Sequence, residues 1–66
     1  MEYTNSQIRE LIAEHIHSER DRGILSSRLI DGMTFEQIGF EMGMTTKTVR
    51  VRIHKQESIL FSHLPG

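Results

Sequence analysis

The sequence predicts an all-α domain of four helices, and three observations carry that expectation. Apolar residues recur three and four positions apart, hydroxyl residues stand where helices would start, and glycines stand where they would stop. No stretch keeps the alternation of a half-buried strand, and there is no internal repeat or linker, so residues 1–66 read as one domain. Thr4, Asn5 or Ser6 caps a first helix (about 5–17), whose stripe is Ile8, Leu11, Ile12 and Ile16. Ser18 with Asp21 three residues on resembles a capping box in which Asp replaces Glu, and starts a second helix (about 19–31). Its buried face is Ile24, Leu25, Leu29 and Ile30. Gly23 interrupts it at a cost of about 1 kcal/mol relative to alanine. It marks a close helix crossing, or else the first two helices divide differently.

The remaining punctuation is clearer. Asp31-Gly32 ends the second helix, with Gly32 suited to the left-handed conformation just beyond a terminus. Thr34 caps a third helix (about 35–42), and Gln37 completes a capping box by reaching back to the cap's own N–H. Phe35, Ile38 and Met42 share one face of it, and Gly43 ends it as Gly32 ends the helix before. Thr45 caps a fourth helix (about 46–61), and Leu64-Pro65-Gly66 closes the chain.

Composition removes several classes of function. A chain of 66 residues hides only about 60% of the surface it exposes when unfolded, so its core is small. Without cysteine it has neither disulfides nor thiolate metal sites. His15 and His17 point to different sides of a helix, His54 and His63 lie far from them along the sequence, and no metal-ligand spacing appears, so no metal or other cofactor is expected. No apolar run approaches the roughly 18 residues of a membrane span, and no secretory signal stands at the N-terminus, which makes a cytoplasmic protein the expectation. An enzyme is not expected: Glu14-His15 and Ser26-Ser27 are isolated, with no set of nucleophile, base and orienting group.

The net charge of −1 argues against a nucleic-acid partner until it is divided along the chain. Residues 1–44 carry Glu2, Glu10, Glu14, Glu19, Asp21, Asp31, Glu36 and Glu41 against Arg9, Arg20, Arg22 and Arg28, an excess of four negative charges. Residues 45–66 carry Lys47, Arg50, Arg52 and Lys55 against Glu57 alone, an excess of three positive charges. One basic element on an acidic body is the pattern of an element that faces phosphates. A solvated helix that happens to be basic would look the same. The distinction comes from the turn. Two helices joined by three or four residues that include a glycine form a helix-turn-helix, here 35–42, Gly43-Met44-Thr45 and the fourth helix. Gly39, in the middle of a short helix, calls for a neighbouring backbone that needs its space, and the fourth helix folded back across it is the obvious candidate.

The stretch RLIDGMTFEQIGFEMGMTTKTVRVRIHK resembles the fourth region of bacterial sigma factors, which reads the upstream promoter element. It is similar, less closely, to the DNA-binding domain of LuxR-type regulators. The resemblance rests on Arg28-Leu29 ahead of Asp31-Gly32, on Thr34 through Gly39, on Gly43, and on Thr48-Val49-Arg50 followed by Arg52-Ile53. In the general pattern Ile38, Met42, Met44 and Val49 fill the apolar positions. Arg52 stands where many members have an apolar residue, a shift that extracytoplasmic-type sigma factors share, and the usual Leu-Pro between the first two helices is missing. The resemblance implies a sequence-specific DNA-binding transcriptional regulator or sigma-like factor, with RNA polymerase as a further partner. The region of sigma factors that melts promoter DNA does not fit in this length. The full chain would then be a freestanding region-four-like regulator of the kind phage and mobile-element genes encode, whereas a fragment would leave a full sigma factor open.

At about 100° per residue, Thr45, Val49, Ile53, Gln56 and Leu60 cluster on the inner side of the fourth helix. Lys47, Arg50, Val51 and His54 cluster opposite, flanked by Thr48 and Lys55. Thr46, Lys47, Arg50 and Val51 are placed for bases, since the start of a recognition helix enters the major groove of double-stranded DNA. Arg50 suits a bidentate contact to guanine and Val51 a thymine methyl. Arg52 falls at the margin, its stem running along the core edge. Arg52, Lys55 and the capping Thr45 or Thr34 are read as phosphate contacts. Phe40 lies about 200° from Ile38. It packs on the first helix, or else it marks a patch for a second copy of the chain or the polymerase flap. Met33, Met42 and Met44 read as filler. The competing reading is a protein-interaction module that binds RNA polymerase or another protein without reading DNA.

Overall fold

A computed structural model describes residues 3–63 and contains four helices, with no strand among the described residues. They are α1 (Asn5–His15), α2 (Glu19–Leu29), α3 (Phe35–Met42) and α4 (Thr46–Ser62). The expected closing segment, Leu64-Pro65-Gly66, lies outside the described residues.

Of the three caps open to α1, the chain uses Thr4. Its Oγ1 accepts from the Gln7 N–H at 3.1 Å, and Gln7 Oε1 accepts from the Thr4 N–H at 2.8 Å, a complete capping box. The helix stops at His15, two residues before the expected end. Ile16 becomes extended and almost fully buried. Arg22 holds the frayed carbonyls, donating to Ala13 O at 2.8 Å and to Ile16 O, as a cation near a helix C-terminus is suited to do. His15 stacks on His63 with ring centroids 4.0 Å apart, joining the ends of α1 and α4.

Ser18 caps α2 by accepting from the Asp21 N–H at 3.4 Å. The reciprocal half of the expected box is absent, because the Asp21 carboxylate is turned to α4 instead. The helix ends at Leu29 rather than near 31, with the Asp31 and Met33 N–H groups reaching back to Ser26 O and Ser27 O. Ile30, expected in the buried face, is only half-buried and lies outside the core. A Cβ on Gly23 would lie 3.3 Å from Met42 Cε, so α2 passes close to the end of α3.

The α3 capping box forms as expected, between Thr34 and Gln37. At the other end Gly43 adopts φ 67°, ψ 35°, and the Met44 N–H donates to Gly39 O at 2.8 Å. This six-to-one bond closes a Schellman turn. A Cβ on Gly39 would stand 2.6 Å from Met44 O. The backbone that needs the space is therefore the turn itself, not the body of the following helix. Thr45 then starts α4, accepting from the Thr48 N–H at 3.2 Å.

The core is Ile12, Ile16, Ile24, Leu25, Ile38, Val49, Ile53 and Leu60, so every helix contributes. α4 packs against the other three. Fully burying such a side chain is worth about 1.5–3 kcal/mol, and α4 supplies three of them. One long helix is thus fastened along one side by the whole protein and left bare along the other.

Candidate nucleic-acid interface

The bare side of α4 carries Lys47, Thr48, Arg50, Val51, His54 and Lys55, all exposed. Val51 is 59% exposed although apolar, on a face otherwise polar and basic. Val49, Ile53 and Leu60 face inward, as periodicity predicts, with Gln56 half-buried beside them. Thr45 is exposed as the cap, so it starts the helix without joining the core, and Thr46 is half-buried. The hydroxyls of Thr34 and Thr45 both accept from backbone, and Thr45 Oγ1 also donates to Thr48 Oγ1 at 2.8 Å.

Arg52 behaves unlike the other three bases of this helix. Its Nη1 lies 3.1 Å from Asp21 Oδ1, while Gln56 Nε2 donates to Asp21 Oδ2 at 2.8 Å. The head, expected to reach solvent, meets a carboxylate of α2, and the side chain stays 42% exposed. Between α2 and α4 the surface forms an open groove of about 600 Å³. Lys47, Thr48, Val51, Arg52 and Lys55 line it from α4, with Gln56 and Asp21 at its side.

Two residues join this region that periodicity along α4 could not supply. Phe35, the first residue of α3, has the Arg28 guanidinium 4.4 Å from its ring centroid and that of Arg50 at 5.9 Å. Both distances fall within cation–π range. Arg28 is held in place by donating to Met33 O at 3.0 Å. The signal was local: a base in the last turn of α2, seven residues before an aromatic ring. It had no meaning until the chain folded back.

Phe40 is 90% exposed. The expectation that it packs on α1 is overturned, because α3 turns its Ile38–Gly39 side to the protein and Phe40 follows on the opposite side. It borders a small hollow with Met33, Glu36, Gln37 and Glu41. Phe61 is also exposed, on the last turn of α4. Among the described residues, no helix is long and apolar enough to cross a membrane.

A short α3, a glycine-backed turn and a longer basic α4 with a free outer face define a helix-turn-helix domain. The chain belongs to the family described as Sigma-70, region 4, whose model matches residues 18–55, more than half of its length. The match runs from the cap of α2 to Lys55 and takes in α3, the turn and the first ten residues of α4, while the core residues Ile12 and Ile16 lie before it and Leu60 after it. That family is one of DNA-binding regulatory domains, not of enzymes, and implies DNA as a partner. No curated protein and no solved structure matches the chain.

Proposed function

We propose that the chain acts in a sequence-specific transcriptional regulator or sigma-like factor in the cytoplasm, reading the major groove with the start of α4, from Thr46. One observation carries this reading: Lys47, Arg50, Val51, His54 and Lys55 share the exposed side of a helix whose other side is the core. Such a helix cannot turn its basic face away, and it can enter a groove without disturbing the fold. Lys47, Arg50 and Val51 stand near the N-terminal half, from which base edges are read. Arg50 is the candidate for guanine O6 and N7, and Val51 for a thymine methyl. Lys55 and the capping Thr34 and Thr45 are candidates for phosphates, which set register rather than sequence. A few basic residues on an acidic body make weak binding, near the 10⁻⁴–10⁻⁶ M typical of non-specific contacts. A second copy of the chain or RNA polymerase would supply the remaining affinity.

The test is an NMR titration of the labelled chain with duplex DNA at low salt. Amide shifts concentrated in residues 45–55 are expected. Duplex DNA that leaves those amides unmoved would overturn the reading. The exposure of Phe40 between Glu36 and Glu41 favours a second role, docking on RNA polymerase or another protein. Taken alone, that role predicts a Phe40→Ser variant that loses its protein partner and binds DNA unchanged.

A further inference from the structure

We infer that Asp21 is a built-in brake on DNA affinity, withholding Arg52 from the phosphates; the inference rests on the DNA-binding reading above. α4 offers four bases to its surroundings, and among the described residues only Arg52 is ion-paired. The pair is lopsided: the Asp21 side chain is 8% exposed and that of Arg52 is 42% exposed. Both carboxylate oxygens are taken by α4, Oδ1 by Arg52 and Oδ2 by Gln56. Asp21 is therefore fixed, with little freedom to move aside, at the edge of the groove that Lys47, Val51 and Lys55 line.

This placement has two electrostatic consequences. A carboxylate 3.1 Å from the guanidinium cancels most of its charge for any phosphate at a distance large compared with that separation. A nearer phosphate competes with a partner already in place, and a phosphate that does not displace the carboxylate gains no counterion release at Arg52. Stability alone is a poor reason for such a pair, since an apolar pair of similar volume often serves as well. What the ion pair adds is control over how many bases the helix shows to DNA. With the carboxylate neutralised, the half-exposed guanidinium is free to turn to the groove beside Lys55.

The experiment measures binding of the full chain to a random-sequence duplex between 50 and 200 mM salt, because phosphate contacts do not depend on sequence. Asp21→Asn keeps the size of the side chain and an acceptor for Gln56. It should steepen the log–log salt dependence by about 1. Its advantage over the parent chain should widen about 3- to 4-fold from the high to the low end of that range. Arg52→Gln should leave the slope of the parent unchanged, yet abolish the gain when combined with Asp21→Asn. Lys55→Ala serves as the reference and should flatten the slope by about 1 in every background. If the parent does not bind, the DNA-binding reading fails and takes this inference with it. If the parent binds and Lys55→Ala flattens the slope while Asp21→Asn does not steepen it, the brake alone is overturned. A double variant as steep as Asp21→Asn would also overturn it, because the gain would then come only from lost negative charge. Should Asp21→Asn fail to fold, Arg52→Gln alone decides: a flattened slope means Arg52 already serves DNA, and an unchanged slope supports the brake.

Discussion

Two turns of this chain are written with the same residues, Gly32 before Thr34 and Gly43 before Thr45. Their glycines have nearly equal φ, 69° and 67°, and the threonines cap the next helices with ψ of 160° and 154°. Neither glycine has a neighbour within 4 Å of where a Cβ would stand. The difference lies behind them. The turn after Gly32 is held by the Met33 N–H on Ser27 O and further braced by a side chain, Arg28, donating to Met33 O. The turn after Gly43 is braced by backbone, with Met44 O lying over the bare Cα of Gly39 and the Met44 N–H bonded to Gly39 O. A side-chain brace can be replaced by water at little cost, whereas a backbone apposition sets the approach of two helices and fails with one added methyl. The rigid brace is found where α4 is aimed.

Gly39→Ala should therefore have the largest effect. The added methyl meets a backbone oxygen that cannot move without reopening the turn, and overpacking of this kind costs about 3 kcal/mol or more. Chemical denaturation measures it. Unchanged stability would show that the second turn is no more rigid than the first. Val49→Ala comes next, because it opens a void in the joint beneath the second turn and should cost roughly 1–3 kcal/mol. A thermal melt that does not move would mean that Val49 is not buried and that α4 is rotated from the orientation described.

Gly32→Ala and Gly43→Ala act on the two turns themselves. Each places a Cβ in left-handed backbone with no added contact, so each should cost about 1 kcal/mol, and the two should agree within about 0.5 kcal/mol. Unequal losses in paired melts would show that something besides φ separates the turns. Gly23→Ala should be the smallest. The new methyl meets only the tip of Met42, and a helical alanine regains up to about 1 kcal/mol of propensity, which leaves the net change near zero. A loss as large as that of Gly39→Ala would show that Met42 is as immovable as backbone.

Local chemistry was legible before the fold. The caps at Thr34 and Thr45, the box with Gln37, the stops at Gly32 and Gly43, and the inner stripe of Val49, Ile53 and Leu60 all follow from residues within one or two turns of each other. The same holds for the outer face of α4, because a helix with one buried stripe must expose the residues opposite. Gly39 was legible as a need for space, though not as to which atom fills it.

What the sequence could determine by itself was therefore each helix, its ends to within two residues, and the sign of charge on the exposed side of α4. Tertiary structure alone decided where individual polar and aromatic side chains are engaged. The carboxylate of Asp21 had two uses within reach, its own helix terminus or a partner 31 residues away. Local capping offers one backbone N–H, and folding offers a guanidinium and an amide at once. A charged donor makes the stronger hydrogen bond, so Asp21 turned to α4. Folding likewise brought Arg22 to the carbonyls at the end of α1 and Arg28 and Arg50 to Phe35, and it left Phe40 in solvent. Periodicity says which side of a helix a residue occupies, and only the packed neighbours say what waits there.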